Sequence, residues 1–98
     1  MISKHAAVFL ALTWLPCGAA LAADAPPGAS SCSGCHPVSR AVDTPVARLV
    51  GANPAEIVAA VQAFRSGARP ATVMDRIAKG FTDDEIKAIA DWYGAQKD

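Results

Sequence analysis

Little in these 98 residues is suited to building a large interior. Aromatic residues make up only 6% of the chain. No segment alternates apolar and polar residues with a period of two for long enough to form a sheet, which removes the β architectures. No apolar run approaches the roughly 20 residues that a helix needs to cross a bilayer. Nine Lys and Arg balance nine Asp and Glu, for a formal net charge of zero. There is no basic tail, RNA-binding signature or block of like charge, so nucleic acid is not an expected partner. Neither an internal repeat nor a heptad array is present. His (two), Met (two) and Cys (three) are scarce enough that each one carries weight.

The first residues, MISKHAAVFLALTWLPCGAALAAD, read as an export signal. Lys4 supplies a positive start and Ala6–Leu15 is apolar apart from Thr13. Pro16 and Gly18 break the run, and Ala20-Leu21-Ala22 offers a cleavage site after Ala22 or Ala23. Cys17 is not placed for a lipid anchor, because Trp14, Leu15 and Pro16 precede it where a lipobox wants an aliphatic residue followed by small ones. The expected organisation is a signal peptide at 1–23 and one domain at 24–98, with no membrane span after cleavage and a periplasmic location. From Asp24 onward, eight Lys and Arg stand against nine Asp and Glu. Cys32, Cys35, His36 and Met74 are then the sole Cys, His and Met residues. A domain of about 75 residues is marginal by itself and usually relies on a disulfide, a metal or a cofactor.

Helical signals organise the rest. The lead DAPPGASS leaves room only for a short helix before Cys32. Pro37, Pro45 and Gly51 make 37–53 mainly loop. Asn53-Pro54-Ala55-Glu56 starts a helix: Asn53 caps, Pro54 suits the first turn, and Glu56 completes a capping-box-like arrangement. Ile57, Val58, Val61 and Phe64 share a face, and Gly67 ends the helix. A helical turn is expected from Asp75 to Lys79, stopped by Gly80. Thr82-Asp83-Asp84-Glu85 is a capping box, Phe81 is placed to staple onto Ile86, and Ile86, Ile89, Ala90 and Tyr93 form a buried stripe with Trp92 at its edge. The expected fold class is all-α.

The chemistry lies in SCSGCHP, residues 31–37. A zinc site normally closes with four Cys or His ligands, and only three remain here. A redox dithiol wants a strand–helix context with its first Cys at a helix N-terminus. A structural disulfide would close a tiny loop of small benefit. Cys-x-x-Cys-His also fits covalent haem attachment, in which both thiols add to the vinyl groups and the His ligates iron from the same turn. That reading also explains the thin core: haem would fill it, with Leu49, Ile57, Val61, Phe64, Ile77, Phe81 and Ile86 as candidate lining. With one His left, two-His ligation within the chain is excluded. Met74, in the stretch between helices, is the candidate second axial ligand. Lys79 or an open position are the alternatives, and a core-filling Met is the bland one. Met ligation raises the reduction potential, and iron with both axial positions filled by protein is suited to electron transfer.

The order CSGCH, then Leu49-x-Gly51, AFRSG (63–67), RPATVM (69–74), RIAKGF (76–81) and DDEIKAIADWY resembles the class I cytochromes c. It most resembles the small monohaem cytochrome subunits of the flavocytochrome c sulfide dehydrogenases. The resemblance runs from Cys32 to the C-terminus, and its most specific part is Arg65–Phe81. It implies a small class I cytochrome c fold around one covalent haem c. Cys32 and Cys35 would hold the haem, and His36 and Met74 would be its axial ligands. It also implies a partner, an FAD-bearing sulfide dehydrogenase subunit that donates electrons, and a soluble acceptor such as another cytochrome. The chain would have no catalytic residues of its own. Two positions depart from the pattern: Pro37 stands where related cytochromes usually have Gly. Ala47 stands where they often have a Pro whose carbonyl accepts from the haem His. The other function consistent with these residues is a free shuttle between another dehydrogenase and a terminal oxidase. Six basic and three acidic residues between Arg40 and Lys79 make either a basic rim that steers an acidic partner or an ordinary solvated surface.

Overall fold

The computed structural model describes residue 13 and residues 24–97. The expected signal peptide, but for Thr13, lies outside the described residues. Four helices follow one another, with no strand among the described residues: α1 (Ala29–Cys32), α2 (Pro54–Ser66), α3 (Met74–Ala78) and α4 (Asp83–Ala95). No helix among them is long and apolar enough to cross a membrane.

The end signals act largely as local chemistry dictates. The Asn53 side chain accepts from Ala55 N at 2.9 Å, and Pro54 occupies the first turn of α2. Glu56 contributes its charge to that turn; the reciprocal capping box forms at α4 instead. There Thr82 Oγ1 accepts from Glu85 N at 3.2 Å, and Thr82 N donates to Glu85 Oε1 at 3.0 Å. Two donors that would otherwise be orphaned are thereby satisfied. Gly67 closes α2 in the left-handed conformation. α3 starts and ends one residue earlier than the sequence suggests, because Val73 takes the N-cap position and Met74 already belongs to the helix.

α4 is the central element. Its buried residues are Ile86, Ile89, Ala90 and Tyr93, the expected stripe. Ile89, Ala90 and Tyr93 join Ala29 of α1, Ile57 of α2 and Val50 in one cluster, with Phe81 and Trp92 packed on its margin. α2 packs against both α3 and α4. Tyr93 is the largest fully buried side chain, and its hydroxyl donates to the Ala29 carbonyl, tying α4 to α1. Two close approaches need glycine. Gly28 has φ +87, and a Cβ there would meet the Phe81 ring at 2.5 Å. At Gly94 a Cβ would lie 2.6 Å from Pro54 Cγ and 2.9 Å from the Ala52 carbonyl, where α4 crosses the start of α2.

Candidate functional site

Pro26, Pro27 and the left-handed Gly28 allow α1 to start only at Ala29, so the helix is four residues long and Cys32 is its last residue. The turn then continues: Cys35 N donates to Cys32 O at 3.2 Å and His36 N to the same oxygen at 2.9 Å. Both thiols and the imidazole therefore hang from one short turn. Cys32 is half-buried, Cys35 exposed, and neither is disulfide-bonded.

The dithiol reading needs a Cys32 thiol lowered in pKa at a helix N-terminus. The structure places it at the C-terminal end of α1, and burial pushes the thiol up, outweighing the hydrogen bond with Ser31 and the backbone bond that lower it. Among the described residues no three or more His, Cys, Asp or Glu side chains gather as a metal-binding group.

His36 is held from the other side. Its Nδ1 lies 2.5 Å from the Ala47 carbonyl oxygen, eleven residues on. A carbonyl only accepts, so Nδ1 carries the proton and Nε2 is the nitrogen left with a lone pair for a metal. Fixing the ring through its other nitrogen is how protein metal sites orient a ligating His. The Ala at position 47 does not disturb this bond, because the acceptor belongs to the backbone.

Met74 opens α3 and is half-buried. Four residues on, Ala78 is buried; three residues on, Ile77 is exposed, so helical spacing sets Met74 between a packed and an open face. It stands on an element separate from the Cys32–His36 turn. Among the seven candidate lining residues, Ile57 and Ile86 are buried, Leu49, Val61, Phe64 and Phe81 are half-buried, and Ile77 is exposed.

Among the described residues, the large apolar side chains left most exposed are Val38 (54%), Val42 (53%), Val73 (54%) and Ile77 (43%). All four fall on two segments, the one that follows His36 and the one that holds Met74. Apolar surface normally seeks cover. Two of these side chains follow His36 and two flank Met74 along the chain, a placement that suits a large apolar prosthetic group such as haem. One open cleft lies between the 38–41 loop, Val38 included, and the end of α4, and another between the start of α2 and α4; none of the four candidate ligands lines either.

The resemblance pointed to position 47 as the acceptor for the haem His, and the Ala47 carbonyl fills that place although the residue is not Pro. Sequence reasoning missed Arg65, counted toward a basic rim but engaged within the fold: it donates to the Ala78 and Phe81 carbonyls and pairs with Asp83. Arg69 also has an internal role, stacked 4.7 Å over the Phe64 ring.

No family model matches the chain, and no solved structure matches it. Among the described residues its helical architecture without strands is that expected of a small all-α class I cytochrome c. Among curated proteins it is similar to the cytochrome subunit of sulfide dehydrogenase of Chlorobaculum tepidum: 39% identical over 64 residues, which is 65% of this chain and 58% of that protein, so the chain spans less than two thirds of that relative's length.

Proposed function

We propose that this chain is an exported monohaem c-type cytochrome that accepts electrons from the flavin of a sulfide dehydrogenase and passes them to a soluble acceptor. Residues 1–23 would be removed as a signal peptide, and 24–98 would be the haem domain, working in the periplasm. Cys32 and Cys35 would bind one haem c covalently, with His36 and Met74 as axial ligands. FAD would reside on the partner subunit. When bound, the haem supplies a one-electron carrier through its iron.

The chain's own residues would hold and shield that carrier. The observation that carries the reading is the bond between His36 Nδ1 and the Ala47 carbonyl, made from the same turn that presents both thiols. It orients Nε2 as a ligand and makes the imidazole a better donor. The exposed apolar side chains beside His36 and Met74 supply surface to exclude water from the group. With both axial positions taken by protein there is no open site for substrate, so sulfide chemistry would belong to the partner. The named relative is itself a subunit of a sulfide dehydrogenase.

The test is purification of the full chain from its native host under low salt. The expected result is a red protein accompanied by an FAD-containing polypeptide, with the cytochrome reduced when sulfide is added. A red protein that purifies alone, and that sulfide with the flavoprotein fraction leaves oxidised, would assign it to shuttle duty between other enzymes.

A further inference from the structure

Arg65 binds three points of the segment that runs from α3 into α4. Its Nε donates to the Ala78 carbonyl at 3.3 Å, and its Nη2 to the Phe81 carbonyl at 2.7 Å. Its Nη1 lies 2.5 Å from Asp83 Oδ1. Ala78 is the last residue of α3, Phe81 precedes the Thr82 cap, and Asp83 is the first residue of α4. The other end of the α2–α3 connection is also tied to α2: Gly67 N donates to Phe64 O at 3.3 Å, Arg69 N to Ala63 O at 3.1 Å, and the Arg69 guanidinium stacks on Phe64.

α3 has five residues, too few to persist as a helix unaided. Its position depends on what anchors it, and Met74 lies one turn from the anchored Ala78. A thioether is a weak donor. It remains at a metal only where the backbone keeps it in place. We propose that Arg65 is the positioning residue for Met74: by fixing the C-terminal end of α3 to α2 and α4, it keeps the thioether at the axial position. This rests on the haem reading above. The role calls for Arg in particular, since a planar fork reaches two carbonyls and a carboxylate together and a Lys ammonium does not.

The test uses the full chain matured with haem, as wild type, Arg65→Lys, Arg65→Gln and Asp83→Asn. Ile89→Val serves as a variant weakened in the core that removes none of the Arg65 bonds. Two signals are read: the weak far-red charge-transfer band of thioether-bound ferric iron, and the rate at which the ferrous protein takes up carbon monoxide. Both Arg65 variants are expected to retain covalent haem and helical circular dichroism while losing the band. Carbon monoxide uptake should rise by about tenfold or more, the loss of roughly one hydrogen bond to a charged donor. Asp83→Asn, which keeps both carbonyl bonds, should move in the same direction but less. Should Arg65→Gln fail to accumulate, Arg65→Lys decides: an uptake rate no faster than in Ile89→Val overturns the proposal. A wild-type protein with covalent haem but no band dependent on Met74 would instead remove the ligation assigned above, and this role with it. A Met74-dependent band that the Arg65 variants leave intact removes this role alone.

Discussion

Gly94→Ala isolates the packing that sets α4 on α2. Within a helix, Gly to Ala normally stabilises, by at most about 1 kcal/mol. Here the added Cβ would lie 2.6 Å from Pro54 Cγ, 2.9 Å from the Ala52 carbonyl and 3.0 Å from Pro54 Cδ. None of these atoms is the far end of a flexible side chain: two belong to a ring and one to the backbone. α4 is not free to retreat either. Gly51 N donates to Tyr93 O at 3.0 Å, and the Tyr93 hydroxyl is bound to Ala29 on another side of the helix. Overpacking of this kind costs about 1–3 kcal/mol. With contacts this short the cost falls in the upper part of that range, about 2–3 kcal/mol; less a propensity gain of about 1 kcal/mol, the variant should be less stable by about 1–2 kcal/mol, or roughly 4–16 °C in Tm for a domain of this size. The assay is reversible denaturant unfolding of the haem-loaded chain beside Ala88→Gly, at an exposed α4 position where propensity alone should act and cost about 1 kcal/mol. A Gly94→Ala protein as stable as wild type, or more so, would refute the claimed close approach.

Other predictions follow from single contacts. Tyr93→Phe removes the hydroxyl bound to the Ala29 carbonyl and leaves that acceptor buried; a loss of about 1–3 kcal/mol in unfolding free energy is expected. Burial raises the Tyr93 pKa. The folded state thus holds this proton more tightly, and wild-type stability should fall as pH rises above the unfolded value of about 10, a slope that Tyr93→Phe reduces. The Glu85 pKa is lowered, chiefly by the hydrogen bond from the Thr82 backbone. Its contribution is fully present above the unfolded value of about 4.3 and is lost as pH falls through the folded one, so unfolding of Glu85→Gln should show a shallower acid limb than wild type.

The sequence was most legible where the cause is local. Thr82 and Glu85, three residues apart, announce the start of α4, and the stripe Ile86, Ile89, Ala90 and Tyr93 is buried residue for residue. Asn53 and Gly67 bound α2 for the same reason. That Cys32, Cys35 and His36 share one turn was legible because their spacing is itself the geometry. Arg65 was not: its partners lie 13 to 18 residues away, and two of them are carbonyls, which every residue carries. The support of His36 was indicated at position 47 only through the resemblance. The side chain at position 47 departs from the related pattern, yet the bond is made by the backbone behind it. Ile77, read as lining by its apolar character, is exposed here and flanks Met74 instead of joining the protein's own core. The similarity to a cytochrome subunit of sulfide dehydrogenase accords with the resemblance drawn from the motifs downstream of Cys32.

The most direct test of the haem assignment is the visible spectrum of the full chain, residues 1–98, expressed with a periplasmic haem-attachment system, beside Met74→Ala. The account predicts a pyridine haemochrome characteristic of two thioether bonds, and a far-red band in the ferric wild type that Met74→Ala lacks. A colourless protein, with Cys32 and Cys35 recovered as free thiols or joined to each other, would contradict it.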